Sequence, residues 1–490
     1  RPESLPLVRI PGRQSRAVNL RLFMQKRAKW IVIILVLFIA ALPMFLLFWL
    51  MDGENFAAVD RGQSYGSSIY KNYQGGVYAA VPSNGYYRMD EADLASFAVF
   101  DTGAFDGRQA ARDQRHVYCG NQVVPDMKPA SARYLGNSYF SDGAVTVFCS
   151  MHSVRNEELG MLDEFWQKIL HRADAGPKPQ TYLYPFVALP ASARPYRPLL
   201  DRELATDDTR VFYRGREMPQ AEPASLRRLP AGRDGDVRPS DDFFADGRRV
   251  YFHEQLLPLP DDPALYTFMV GDLYRQPYLR DPRDGMVYVG AQPFDAAHAP
   301  YRLLSEHGRH VYQALFRSKD GIYFYNSQTR QVERAGDDPL ASGAYVALSP
   351  YVYTDGRQTL FLQAQEAWAR NSRGGGGGLV SRSTLINQLT DAPAGEWKKR
   401  GVVYHNFGTV WQKGETLYYL DELGPTQLIS HSIYQIMDRG AAEFLLGSQE
   451  TRQITANDIR KLIRAGKLAV PQNETVLEAK TRYRKVFSIF

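Results

Sequence analysis

Phe243-Phe244-Ala245-Asp246-Gly247-Arg248-Arg249-Val250-Tyr251-Phe252 reads as an aromatic strand, a tight polar turn and a second aromatic strand. Asp-Gly supplies the positive-φ residue that a hairpin turn requires, and the flanking β-branched and aromatic residues suit a pleated surface. The stretch has echoes along the chain. Asp113 to Val117-Tyr118 and Asp207 to Val211-Phe212 keep the same four-residue step from acid to valine. Asp284-Gly285-Met286-Val287-Tyr288 is one residue shorter, and Gly308-Arg309-His310-Val311-Tyr312 keeps the turn residues without the aspartate. Asp142, Asp320 and Asp355 open further Asp-Gly turns.

The repetition extends past the hairpin. Pro125-x3-Pro129-Ala130-Ser131-x-Arg133-x-Leu135 aligns without a gap on Pro219-x3-Pro223-Ala224-Ser225-x-Arg227-x-Leu229. From Phe212 to Tyr251 is 39 residues and from Tyr251 to Tyr288 is 37. Repeats of this length build solenoids, propellers or similar arrays, whose units bury apolar faces only by stacking. The expected fold is therefore an all-β repeat array, propeller- or solenoid-like, with many hairpins.

Aromatic-x-x-Asp-x-x-x-Val-Tyr, followed by Ala-Asp-x-x-x-Phe, resembles the bacterial DKNYY repeat family. Ala92-Asp93-Leu94-Ala95-Ser96-Phe97 matches the second half, and the Asp-to-Val-Tyr segments match the first. The resemblance spans roughly residues 76–365, with Gly-Arg or Thr-Arg mostly standing where the family has Lys-Asn. It implies a repeat protein and brings no catalytic residue with it.

Residues 1–29 hold eight Lys/Arg (Arg1, Arg9, Arg13, Arg16, Arg21, Lys26, Arg27, Lys29) against one acid, Glu3. Trp30 to Met51 then runs 22 residues without a charge, about 33 Å as a helix, which spans a bilayer core. Trp30 and Trp49 sit where interfacial aromatics belong. The stretch is too long for the apolar region of a cleaved signal peptide. A single membrane anchor is expected, with the basic tail in the cytoplasm and the rest outside, in the periplasm of a Gram-negative cell. The same tail accounts for the charge. Of 59 Lys/Arg and 53 Asp/Glu, residues 30–490 keep 51 and 52, so the basic balance argues topology and not nucleic-acid binding.

After a linker at 52–75, the β-hairpin repeat domain is expected over 76–369. Within it, 156–172 reads as a helix, capped by Asn156 and carrying an apolar stripe of Leu159, Leu162, Phe165, Trp166, Ile169 and Leu170. The plain reading is a helix packed on a sheet edge; the other is a helix that docks a partner. A Pro-rich crossing follows at 177–198. Gly374 to Gly378 lie in a flexible loop at 370–378. Residues 379–490 read as more strands (Val402-Val403-Tyr404, Val410-Trp411, Leu417 to Leu420) and a small α/β cap from about 430. There Thr455 and Asp458 head a helix that Gly466 ends.

Chemistry is harder to find. Gly62-Gln63-Ser64-Tyr65-Gly66 matches a nucleophile elbow, but it stands eleven residues after the apolar stretch, without room for the central strand an elbow needs. His307 and His310 are the closest histidine pair, and their turn context makes them exposed hairpin residues. Asp234-Gly235-Asp236 and Asp241-Asp242 lack a calcium loop's spacing and distal acid. Asp261-Asp262 and Asp337-Asp338 read as acidic turns. Gly374 to Gly378 lack the Gly-Lys-Ser/Thr of a phosphate loop. No catalytic, cofactor or metal residue is assigned.

Cys119 follows Tyr118 and Cys149 follows Phe148, equivalent places in neighbouring units, so the pair is a candidate disulfide in an oxidising compartment. Two buried thiols are the alternative. The expected protein is an inner-membrane-anchored envelope protein that binds a protein or glycan partner, one version being immunity against a secreted antibacterial toxin. The alternative is a glycan-acting hydrolase with carboxylates on separate loops.

Overall fold

Hairpin chemistry decides the architecture. In the computed structural model of the chain, Phe243, Phe244 and Ala245 pair with Phe252, Tyr251 and Val250, and Gly247 turns the chain at φ +86°, which glycine reaches without a Cβ clash. The structure describes residues 56–82, 84–100, 103, 105–201, 203–232, 237–270, 276–305, 309–341, 344–369, 378–448 and 453–483. The apolar stretch Trp30–Met51, its basic tail, His307, Asp234, Asp236 and most of the glycine run lie outside these. Among the described residues no helix is long and apolar enough to cross a membrane.

The described strands form nine antiparallel meanders, at 63–88, 98–124, 133–188, 197–218, 227–260, 266–293, 302–336, 346–389 and 397–469. Each has four strands, and the last two gain a fifth. The fifth and sixth share a sheet through the parallel bridge Ala231↔Thr267. The chain divides into two compact units, one ending at Ala191 and one starting at Ser192. Within each, successive meanders share a core. Tyr70, Val77, Phe97 and Tyr118 join the first and second, and Val117, Cys119, Phe140 and Val147 the second and third. In the second unit, Leu204, Val211, Phe244 and Tyr251 join the fourth and fifth, and Val352, Phe361, Tyr418 and Leu420 the eighth and ninth. A lone meander has no second layer to bury these rings, so neighbours supply it.

The repeated aspartate explains how consecutive units lock. Asp246 Oδ1 accepts the N–H groups of Arg248 (2.9 Å) and Arg249 (2.7 Å), while Oδ2 accepts Tyr251 Oη and the N–H of Glu222, both at 3.3 Å. Asp113 repeats this with Arg115, His116, Tyr118 Oη and the N–H of Asp93. Asp142 accepts from Ala144, Val145 and Lys128. Asp93, Lys128 and Glu222 lie in the loops that lead into the first strand of the same meander. One buried carboxylate thus closes its hairpin and pins the crossing loop, so the two halves of the sequence motif meet in space. Burial alone would raise the pKa of Asp246. The N–H groups of Arg249 and Arg248 outweigh it, and the carboxyl sits below its ordinary 3.8.

Several elements differ from the expectations above. The stretch 52–75 contains Gln63–Ser64 and Tyr70–Tyr73, strands of the first meander, because Tyr70 is needed in its core. In the sixth meander the buried turn aspartate is Asp281, not Asp284. Asp281 N–H donates to Met286 O, and its carboxylate binds Arg283. Arg309 to Tyr312, the described part of the Gly308–Tyr312 stretch, form no hairpin strand. Without an aspartate to close a turn, the described residues from Arg309 run irregularly, burying Val311, Ala314 and Leu315, and the N–H groups of Tyr312 and Gln313 donate to Thr384 Oγ1. The seventh meander turns instead at Asp320.

His310 is fully buried rather than exposed. Its Nε2 lies 2.7 Å from Asp421 Oδ2, and Asp421 also accepts Tyr419 Oη and the N–H of Gly424.

The carboxy-terminal region is woven into the sheets instead of capping them. Thr455 and Asp458 form a full capping box on the helix Ala456–Arg464, and a further helix, Arg439–Leu446, packs beside it. Ile433–Ile436 and Leu468–Ala469 belong to the ninth meander, however, and Asn473–Arg482 pairs along Leu379–Leu389 in the eighth.

Cys119 and Cys149 occupy the third strands of the second and third meanders. Their sulfurs are bonded, with Cα atoms 5.8 Å apart.

Candidate functional site

The third meander is interrupted. Between Thr146–Cys149 and Phe186–Ala188 the chain makes an excursion whose base is a short ribbon, Val154–Arg155 against Tyr182–Leu183. Its centre is the helix Met161–Arg172. The helix starts later than Asn156. That side chain instead accepts the N–H of Glu158 (3.1 Å), and Gly160 is the cap. It also docks the opposite way from a usual surface helix. Glu164 is its one fully buried residue, accepting Arg155 (2.8 Å), Lys168 (2.6 Å) and Thr181 Oγ1 (3.2 Å). The apolar side faces out: Met161 is 70% exposed, Leu162 75% and Trp166 60%.

The polar side of this helix walls a groove of about 1230 Å³. The other walls are the edge strands of the first two meanders, Gly85–Arg88 and Gln122–Val124. Tyr78, Tyr86, Tyr87 and Tyr118 contribute rings; Asn121, Gln122, Gln167 and Gln180 contribute amides. Asp90, Glu91, Asp174 and Arg88 bring charge of both signs. Lys178 braces one side: its Nζ donates to Asn84 O (2.6 Å) and lies 4.3 Å from the Phe56 ring centre and 4.8 Å from that of Tyr87. Asn121 ties the ribbon down through Tyr182 O and the N–H of Tyr184.

Burial pushes the Tyr86 hydroxyl above its ordinary value, and so does the neighbouring Asp60, which accepts its hydrogen bond at 2.7 Å. Tyr118 is raised by burial and then by Asp113. These phenols stay protonated donors. Gln122 Nε2 is a buried donor without a protein partner among the described residues. Rings for stacking and amides for directed hydrogen bonds, among charges of both signs, suit the binding of an extended polar chain.

The chemical candidates lie elsewhere. Ser64 sits on an edge strand opposite Lys71 and not at a strand-to-helix turn. Asp241 pairs with Arg228, Asp242 with His253, Asp261 with Arg227, Asp262 with Arg283, Asp337 with Arg334 and Asp338 with Arg317. Gly378 precedes the strand Leu379–Leu389, which pairs with Thr359–Trp368, so the glycine run joins two partners of a hairpin. Among the described residues no three His, Cys, Asp or Glu side chains gather as a metal site. The groove itself was missed because its walls come from three separated segments. The doublet Tyr86-Tyr87 beside a strand end was the signal available.

An array of antiparallel meanders, clamped by turn aspartates and opened by one groove-forming insertion, defines a class of repeat scaffold. Residues 70–255 match the DKNYY family, which supports reading that stretch as DKNYY repeats. The match takes in most of the groove. It ends at 255, short of the 365 read from the sequence, just before the turn aspartate changes position at Asp281 and the next hairpin motif is lost. No curated protein matches the chain.

Proposed function

We propose that this is a membrane-anchored envelope protein whose ectodomain binds a protein or glycan partner through the groove. The array of β-meanders serves as its scaffold. The observation that carries the reading is the groove itself: four tyrosines and four amides held by braced edge strands. Its volume exceeds that of common small-molecule pockets, roughly 300–1,000 Å³, and fits a segment of a polymer. A secreted toxin that reaches the periplasm is one partner of this kind, which makes immunity the specific version of the proposal.

Two measurements test it. A reporter active only in the periplasm should work when fused after Phe490 and fail when fused before Trp30; the reverse result removes the envelope reading. A photo-crosslinking residue at Gln122 should capture one partner in living cells, and Tyr86→Ala should abolish the adduct. Capture unaffected by Tyr86→Ala, or matched by a probe at the exposed Val346, removes the groove as the site.

A further inference from the structure

A helix on a protein surface ordinarily buries its apolar stripe. Met161–Arg172 does the reverse, held by the Glu164 cluster and exposing Met161, Leu162, Trp166 and Leu170. The position of this helix indicates what covers the stripe. The apolar stretch Trp30–Met51 ends five residues before Phe56, so Phe56 lies within roughly 17 Å of its end even if the chain between is fully extended. Phe56 is in turn fixed beside the helix. Its ring sits under Lys178, six residues past Arg172, and it shares the groove wall with Leu159, Gln167 and His171.

We propose that Met161–Arg172 is a membrane-interface helix, whose stripe rests in the outer face of the bilayer that holds Trp30–Met51. The inference rests on the anchored reading above. Its composition fits. Trp166 offers a ring that prefers the headgroup boundary, Leu162 and Leu170 reach the acyl region, and the polar face stays with the protein. The anchor would thus fix the ectodomain at one point and the helix at a second, setting the direction in which the groove opens.

The experiment uses the full chain in nanodiscs of phosphatidylethanolamine and phosphatidylglycerol, with a nitroxide at Leu162→Cys or, as control, at Val346→Cys. The native cysteines are paired, so only the added thiol is labelled. Co-elution with the disc reports the anchor. Collision of the nitroxide with oxygen and with a water-soluble nickel chelate reports its depth. The proposal expects co-elution, loss of nickel collisions at 162 with gain of oxygen collisions, free nickel access at 346, and restored nickel access at 162 on adding Trp166→Glu. Co-elution with nickel access at 162 equal to that at 346 overturns the proposal and leaves the anchor standing. Failure to co-elute removes the anchor and this inference together. Dipolar broadening between labels at 162 would assign the stripe to a second copy of the chain and also overturn it.

Discussion

At the scale of single residues, the aspartate that opens each turn carries the most structural consequence. Asp246 is 3% exposed and receives five hydrogen bonds from two parts of its unit. Asp246→Asn would keep one acceptor but turn an amide N–H₂ toward the N–H of Glu222 and Tyr251 Oη, donor against donor. A loss of about 1–3 kcal/mol is expected, the cost of stranding buried polar groups, read by urea unfolding of the variant against the parent. The pH dependence has a definite sign. Asp113, Asp142, Asp246 and Asp281 are all held below the ordinary aspartate value of 3.8. Their contribution is complete above about pH 5 and drains away as pH falls through their lower folded-state values. The parent should therefore lose stability steeply below pH 4, and Asp246→Asn should flatten that slope. An unchanged slope would mean the carboxylate is not bound as described. The turn aspartates were legible because Asp-Gly before Val-Tyr is a local signal. His310 was not, because its partner Asp421 lies 111 residues away and no local pattern encodes such a pair.

At the scale of elements, the helix Met161–Arg172 separates periodicity from orientation. The spacing of Leu162, Phe165, Trp166 and Ile169 told correctly that a helix forms, yet only Phe165 and Ile169 turn partly inward while Leu162 and Trp166 stay exposed. The docking side is chosen by Arg155 and Thr181, which the ribbon below brings to Glu164. Their convergence depends on the pairing Arg155↔Tyr182. Two substitutions follow. Trp166→Gln should leave thermal stability nearly unchanged, within about 0.5 kcal/mol, as for surface positions generally. Glu164→Ala strands Arg155 and Thr181 and should cost about 1–3 kcal/mol. Equal and large losses from both would mean that the apolar stripe is buried after all. The end of the chain taught a similar lesson. The capping box at Thr455 was readable in four residues, whereas the return of Asn473–Arg482 to a strand almost a hundred positions earlier was not.

At the scale of the whole molecule, stability depends on links between neighbouring units, since most described meanders share their cores with a neighbour. Two links can be cut one at a time. The first is the Cys119–Cys149 bond, which ties the second meander to the third. Cys119→Ser with Cys149→Ser removes a cross-link closing about 31 residues, worth about 3–4 kcal/mol in the chain-entropy view. The expected result is a lower unfolding midpoint in the double variant. The parent, denatured without reductant, should yield no reactive thiol, and two reactive thiols there would refute the bond.

The second link is the last strand. Leu379–Leu389 is the most buried long strand described, and it is covered because Asn473–Arg482 pairs along it from Ser381 to Leu389. Leu477 and Ala479 also enter the core formed by meanders six, seven and eight, among Phe316, Tyr351, Leu360 and Ile386. Ending the chain after Gln472 would therefore do two things at once. It would expose the backbone edge of a long strand, which is a template for aggregation, and it would open a cavity where a leucine stood, a change that alone costs about 2–5 kcal/mol. The truncated chain should lose the cooperative unfolding of its second unit and aggregate on warming, monitored by light scattering beside circular dichroism. Restoring residues 473–483 should recover both signals, while restoring them with Leu477→Asp should recover neither. Normal unfolding of the chain cut at Gln472 would mean that the ninth meander and its helices close the array without that strand.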